Sequence, residues 1–432
     1  MPGHSRIADL PDRVGETVTV HGWVTTIRSS GKIAFMVLRD GTGYLQCVLA
    51  RSETDDGTWT TFRNVTQETS LTVTGTVRQD DRAPGGVELG LAQVVVHGTS
   101  TDFPISPKEH GTAFLFDHRH LWLRSRRQVA IMRIRHEVVQ AIRDFFYERD
   151  FTLVDTPILT GSVGESAGTL FETEYFEFGK AFLAQTGQLY LESAAAALGR
   201  VYCFGPTFRA EKSKTRRHLA EFWMVEPEMA WYDSDDNMRL QEEFVAYIVA
   251  RCLDRRADDL KELERNTGPL EGIVPPFPRI SYTDAIAKLT ALGADVTWGD
   301  DLGADEEIQL ASEYALPVFV YNYPKAVRAF YMKENPEDPR TVLNNDLLAP
   351  EGVGEIIGGS QREDDHEKLV GRIRALGLPE ENYDWYLDLR KYGTFVHSGF
   401  GLGLERTVAW ICGIPHIREA IAFPRMMTKL YP

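Results

Sequence analysis

Between residues 17 and 97 apolar and polar positions alternate in short runs: TVTVHGWVTTI, IAFMVLRD, GYLQCVLA, SLTVTGTV and GVELGLAQVVVH. A period of two sends successive side chains to opposite faces of a strand, and the β-branched content suits a pleated surface. The Gly- and Asp-bearing stretches SSGK, DGTG and DDRAPGG read as the turns between them. Five such strands in about eighty residues predict a small closed barrel, with the OB-fold ahead of a generic β-sandwich.

The period changes after HGTSTDFPISPKEHG (97–111), a Pro-, His- and Gly-bearing stretch that reads as a linker. Ile131, Ile134, Val138, Ile142, Phe145 and Phe146 recur at three- and four-residue steps, the stripe of an amphipathic helix. FTLVDTPIL then reads as a strand ending near Pro157. Antiparallel stretches are expected at 200–231 and 341–362, and a helix at 237–264. The chain thus divides into an all-β domain at 1–100, a hinge at 101–125 and an α+β domain at 126–432.

Composition narrows the class. A chain of 432 residues with 63 acidic and 47 basic side chains, net charge −16, does not present a generally basic surface and is not expected to bind DNA. Residues 1–100 carry eleven acidic and nine basic side chains, so this part repels a polyanion least. The apolar runs are too short to span a membrane, and the N-terminal stretch lacks a signal-peptide pattern. Cys47, Cys203, Cys252 and Cys412 are scattered without a CxxC pair, and buried free thiols in a cytoplasmic protein are expected.

Against that acidic background, FGPTFRAEKSKTRRHLAEFWMVEPEM (204–229) holds Arg209, Lys212, Lys214, Arg216, Arg217 and His218 between two apolar flanks. Such a run is commonly a solvated hairpin tip. Here Arg209 closes a strand-like run that can aim it, and Phe222 and Trp223 follow, so a planar fork for phosphate stands beside a stacking surface for a base. In VHSGFGLGLERTVAWICGI (396–414), glycines clear the approach to a helix whose first turn bears Arg406. The spacing is not GxGxxG, and tight strand–helix packing explains the glycines equally well. Asp346 and Glu355 bracket a Pro/Gly turn as paired carboxylates suited to Mg²⁺ and polyphosphate, with Arg362 close behind. Gln185 and Gln188 are amides in an apolar surround. No Ser–His–Asp or Cys–His pattern appears. Arginines, carboxylates and amides suit phosphoryl chemistry, where positioning and charge neutralisation carry the catalysis.

Together these segments resemble the three signature motifs of class II aminoacyl-tRNA synthetases: the helix at 131–149 with its strand, FRAE with HLAEFWMVEPEM, and GFGLGLERTVAW. The barrel ahead of them is the arrangement of the subclass serving aspartate, asparagine and lysine. The resemblance implies an α+β catalytic domain with a six-stranded antiparallel sheet flanked by helices, preceded by an OB-fold anticodon-binding barrel, and a homodimer formed through the first motif. It assigns Arg209 to the α-phosphate of ATP, Glu211 to the adenine amino group, His218 and Arg406 to the γ-phosphate and Phe222 to adenine stacking. Asp346 and Glu355 are implied to hold Mg²⁺, although an apparent extra residue in their turn makes Glu355 the firmer of the two. Arg209, Glu355 and Arg406 would be the catalytic groups. Phe35 and Gln46 match an anticodon-reading pair, and Lys212, Lys214, Arg216 and Arg217 would face the tRNA acceptor stem.

The amino-acid pocket would be formed by Gln185, Gln188, Leu191, Glu226 and Arg362. Leu191 stands where aspartate-using relatives carry a lysine for the substrate carboxylate. A neutral carboxamide avoids the desolvation cost of an unpaired carboxylate there, which favours L-asparagine and tRNA(Asn). Glu226 is expected to be free to accept from the amino acid, and Arg362 to donate to its side-chain carbonyl. The alternatives are an aspartate-using enzyme with relaxed tRNA choice, and a synthetase-derived asparagine synthetase or tRNA-binding regulator. Retention of the barrel and all three motifs weighs against the last two.

Overall fold

The barrel strands form where the alternation places them. The computed structural model describes residues 4–161, 164, 169–212 and 215–432. Its first strands are β1 (Thr17–Ser30), β2 (Ile33–Arg39), β3 (Tyr44–Ala50), β4 (Ser70–Gln79) and β5 (Val87–Gly98). They close in the order β1-β2-β3-β5-β4, with β3 and β5 parallel and the other pairs antiparallel. Closure leaves no unpaired edge on which another chain could add. The inward positions, Val20, Met36, Leu38, Cys47, Val73 and Leu89 among them, form the barrel's own core. At Gly75 a Cβ would stand 2.2 Å from the carbonyl oxygen of Gly90, so only glycine lets β4 approach β5 where their register shifts. A helix that the period-two reading passes over, Asp56–Arg63, joins β3 to β4; its cap is Asp55, which accepts from the Thr58 amide.

The chain divides into two compact units, Met1–Thr112 and Ala113–Pro432. The boundary falls within the segment expected as a hinge. Arg119 belongs to the second unit: fully buried, it donates to the carbonyls of Ile421 (2.8 Å) and Ala422 (2.9 Å) and to the Gln128 side chain (2.6 Å).

The second unit is built on eight strands in the order β12-β13-β14-β15-β16-β11-β10-β6. These are β6 (Thr152–Leu153), β10 (Arg200–Phe208), β11 (Glu221–Ala230), β12 (Arg279–Ser281), β13 (Val318–Tyr321), β14 (Asn344–Ala349), β15 (Gly354–Gln361) and β16 (His397–Gly403). The expectation of six strands is corrected to eight. The run from β13 to β10 is antiparallel throughout, and the two additional strands lie parallel to their neighbours at the edges. Strands of two or three residues are too short to carry a readable alternation. A separate small sheet pairs β7 (Leu159–Thr160), β9 (Lys180–Leu183) and β8 (Glu172–Glu174).

The predicted apolar stripe lies on the helix Arg126–Tyr147, capped by Ser125. Phe145 and Phe146 pack on Phe244 of the helix Ser234–Arg255, with ring centroids 4.9 and 4.8 Å apart, and Phe146 stacks on Tyr202 of β10 at 4.7 Å. This second helix ends at Arg255 instead of continuing to 264; a separate short helix, Ala257–Glu262, follows. All four cysteines are buried and free. Among the described residues no helix is long and apolar enough to cross a membrane.

Candidate active site

Two adjoining chambers open on the large sheet, and Arg209, Met224, Glu355 and Gly401 line both. Arg209 follows the last residue of β10, and its backbone is held by a hydrogen bond from its amide to the Ala220 carbonyl (3.0 Å). Its guanidinium lies 5.4 Å from the centre of the Phe222 ring, and its buried Nε has no hydrogen-bond partner among the described residues. A guanidinium that lines a cavity with its donors incompletely satisfied is matched by an anionic oxygen. At Gly401 a Cβ would meet Met224 Cε at 2.4 Å, so the bare backbone keeps the shared floor open.

The first chamber also collects Glu211, His218, Phe222 and Arg406. Arg406 projects from the first turn of the helix Leu404–Cys412 and donates to the Glu355 carbonyl (2.9 Å) and carboxylate (3.1 Å). The helix start is fixed by Glu405, which accepts from Arg135 (2.7 Å) and from the Trp223 amide on β11 (3.0 Å). His218 lies 3.6 Å from the Glu211 carboxylate; burial and the Arg406 charge lower its pKa.

Asp346 and Glu355 do converge. A Cβ on Gly358 would stand 3.1 Å from Glu355 Oε1 and 3.7 Å from Asp346 Oδ1. Burial, with Glu355 and Glu307 nearby, pushes Asp346 up to about 7 even though Arg328 donates to it at 2.6 Å. Burial opposes ionisation of Glu355 too, but Arg406, Arg328 and Arg209 hold its pKa down. Two hard carboxylate donors facing the space that glycine leaves open, each shared with an arginine (Arg328 or Arg406), fit Mg²⁺ completed by phosphate oxygens. Among the described residues no three His, Cys, Asp or Glu side chains form a closed metal cage.

The second chamber is lined by Gln188, Leu191, Glu226, Arg362 and, from outside the predicted set, Glu228 and Arg328. Two expectations are corrected here. Glu226 is not free: it accepts from the Thr186 hydroxyl, the Gly187 amide (2.9 Å) and the Cys203 thiol (3.4 Å). Arg362 is committed as well, to Glu228 (2.8 and 3.1 Å) and Ser360 (2.8 Å). Leu191 is fully buried in an apolar cluster with Ala195, Val201 and Cys203. Gln185 is buried with its amide donating to Thr169 (2.9 Å) and does not line either chamber.

In the basic loop, Lys212 and Arg216 are exposed and Lys214 lies outside the described residues. Arg217 is not a tip residue. It lines the first chamber and is paired with Glu307 at 2.8 Å, and Glu307 in turn accepts the Glu355 amide at 3.1 Å. On the barrel, Phe35 pairs with Val48 and Gln46 with Val37, so Phe35 and Gln46 stand diagonally on the outer face. Gln46 donates to Glu88 (3.1 Å), and Arg28 lies over Phe35 at 4.9 Å.

Sequence reasoning missed Glu228, Arg328 and Glu307. Glu228 was legible, since it lies two residues from Glu226 on one strand face. Glu307 sits in the acidic first turn of an ordinary helix, Ala304–Ala311, and nothing local marks it.

Residues 112–427 match the family model for class II tRNA synthetases (D, K and N), and residues 18–96 match that for the OB-fold nucleic acid binding domain. The asparagine–tRNA ligase of Chloroflexus aurantiacus is 55% identical over 432 residues, covering 99% of this chain and 98% of the relative. That of Pelotomaculum thermopropionicum is 54% identical, with 99% of each covered. The crystal structure of asparaginyl-tRNA synthetase from Pyrococcus horikoshii complexed with asparaginyl-adenylate superposes with a TM-score of 0.97 at 45% identity, covering 100% of both chains.

Proposed function

The chain belongs to the class II tRNA synthetases of the aspartate, lysine and asparagine group, and on that premise we propose that it activates L-asparagine with ATP and transfers the asparaginyl group to the 3′-terminal adenosine of tRNA(Asn). The carrying observation is the second chamber. Its wall at Leu191 is apolar where a lysine would be needed, and Arg362 is already neutralised by Glu228 and Arg328 by Asp346. The remaining arginine, Arg209, is assigned to the phosphate, which leaves no cation for an aspartate side chain. The full-length likeness to asparagine-using enzymes supports the same choice.

The chemistry needs no enzyme nucleophile. A carboxylate oxygen of asparagine attacks the α-phosphorus, forming the mixed anhydride and releasing diphosphate. Arg209, at the seam of the chambers, is assigned to the α-phosphate and neutralises charge where it develops. Phe222 carries adenine and Glu211 its amino group, while Arg406 and His218 take the γ-phosphate. Gln188 orients the amino acid, and Arg362 lines the same chamber in its pair with Glu228. Asp346 and Glu355 would hold Mg²⁺, which when bound would supply charge neutralisation on the phosphates. The 3′-hydroxyl of the terminal ribose then attacks the anhydride carbonyl, the acyl–phosphate bond breaks and AMP leaves with the ester formed on the tRNA. Phe35 and Gln46 are assigned to the anticodon, and a cytosolic homodimer built on the helix Arg126–Tyr147 is the expected assembly.

ATP–diphosphate exchange tests the reading. Exchange should depend on asparagine and be feeble with aspartate, and the reverse preference would sink it.

A further inference from the structure

Behind the amino-acid chamber lies a buried carboxylate with no place in the chemistry above. Glu192 is fully buried on the helix Gln188–Leu198, one turn beyond Gln188. Its Oε1 accepts from Tyr386 Oη (2.8 Å) and from Gln188 Nε2 (3.2 Å). Its Oε2 accepts from Arg390 Nη2 (2.7 Å), Tyr386 Oη (2.9 Å) and His397 Nε2 (3.0 Å). Gln188 lines the chamber; Glu192 does not.

We propose that Glu192 is a positioning residue: it fixes which atom of the Gln188 amide faces the amino acid, and so selects a hydrogen-bond-donating substrate over a carboxylate side chain. An ionised carboxylate only accepts hydrogen bonds. Facing one, Gln188 must turn its NH₂ inward to Glu192, which leaves its carbonyl oxygen for the chamber. That oxygen meets the N–H of a side-chain carboxamide favourably and opposes the lone pairs of a side-chain carboxylate. Burial works against ionisation of Glu192, but Arg390 and His397 more than offset it and hold the group well below the ordinary carboxylate range. Four donors on two oxygens leave the carboxylate no room to rotate away. The amide orientation is therefore set before the amino acid arrives, a form of preorganisation that costs nothing at binding.

The inference rests on the assignment of this chamber to the amino acid. Full-length protein carrying Glu192→Gln keeps the side-chain volume but can offer Gln188 either a donor or an acceptor. In ATP–diphosphate exchange its KM for asparagine should rise at least tenfold with KM for ATP within twofold. The ratio of kcat/KM for asparagine over aspartate should fall at least tenfold. In a Gln188→Met background the same substitution should change the asparagine KM less than twofold, because the positioned group is gone. Should Glu192→Gln be insoluble, Glu192→Asp serves instead: it keeps the charge for Arg390 but draws the carboxylate back from Gln188 by one methylene, and the same rise is expected. A soluble variant with unchanged asparagine KM and selectivity overturns the proposal, as does an equal effect in the Gln188→Met background. A purely structural role would lower the melting temperature and leave the selectivity ratio unmoved, which also overturns it. Unaltered protein that fails to exchange with asparagine would instead overturn the functional reading and take this inference with it.

Discussion

Arg209 and Phe222 share one side of the first chamber, the guanidinium over the ring. The ring packs against the guanidinium at the seam of the two chambers; under the proposed function, the guanidinium would draw the phosphate chain and the ring would take the base. Stacking of a base on an aromatic ring contributes about 1–3 kcal/mol. Phe222→Ala should accordingly raise KM for ATP by about five- to a hundredfold by that figure. The KM for asparagine should stay within a factor of about two, since Phe222 does not line the second chamber. Steady-state exchange with each substrate varied in turn separates the two.

At the scale of elements, the loop between β10 and β11 divides by position. Lys212 and Arg216 are exposed, whereas Arg217 is clasped by Glu307 against the chamber that holds Glu355. Neutralising Lys212 and Arg216 together should reduce aminoacylation of tRNA more than exchange, with a steeper loss at higher salt. Arg217→Ala should reduce exchange itself, because it leaves Glu307 an unpaired carboxylate beside Glu355; equal losses in both assays for both variants would contradict the division. The C-terminal segment carries a pH response. His416 is half-buried, and burial with the charges of Arg418 and Arg216 pushes it down to about 4. Above its ordinary value of 6.5 the ring is neutral in both folded and unfolded chains and stability is unaffected. As pH falls from 6.5 towards 4 only the unfolded chain takes up the proton, so stability is lost across that window. His416→Gln should flatten that part of the decline in urea midpoint against pH.

At the scale of the whole molecule, each unit has its own core. The barrel is closed and packs around Val20, Leu38 and Val73, and the second unit packs around Phe145, Phe146 and Phe244. The chambers are built entirely from the second unit. Residues 113–432 expressed alone should therefore retain asparagine-dependent exchange within about tenfold of the full chain while losing most aminoacylation, because a phosphate-rich tRNA is held mainly by contacts outside the reacting centre. Loss of both activities in a folded fragment would show that the barrel supports the chemistry as well.

Local patterns determined a large part of this protein. Alternation alone placed the five barrel strands, because a half-buried strand must repeat every second residue. The stripe Ile131–Phe146 placed the long helix for the equivalent reason at period 3.6. The motifs named the family, and most residues assigned to the first chamber were visible as charged side chains beside glycines and aromatics. What only the tertiary structure decided is pairing. Whether Arg217 faces solvent or Glu307, whether Glu226 is free or holds Thr186 and Gly187, and that Arg362 is answered by Glu228 depend on groups far apart in sequence meeting in a low-dielectric interior. The edge strands β6 and β12 belong to the same class, being too short to have a period and existing only because a neighbour offers its free edge. A charge seen along the chain states what a residue carries. Its partner, and with it the effective charge the substrate meets, is set by the fold.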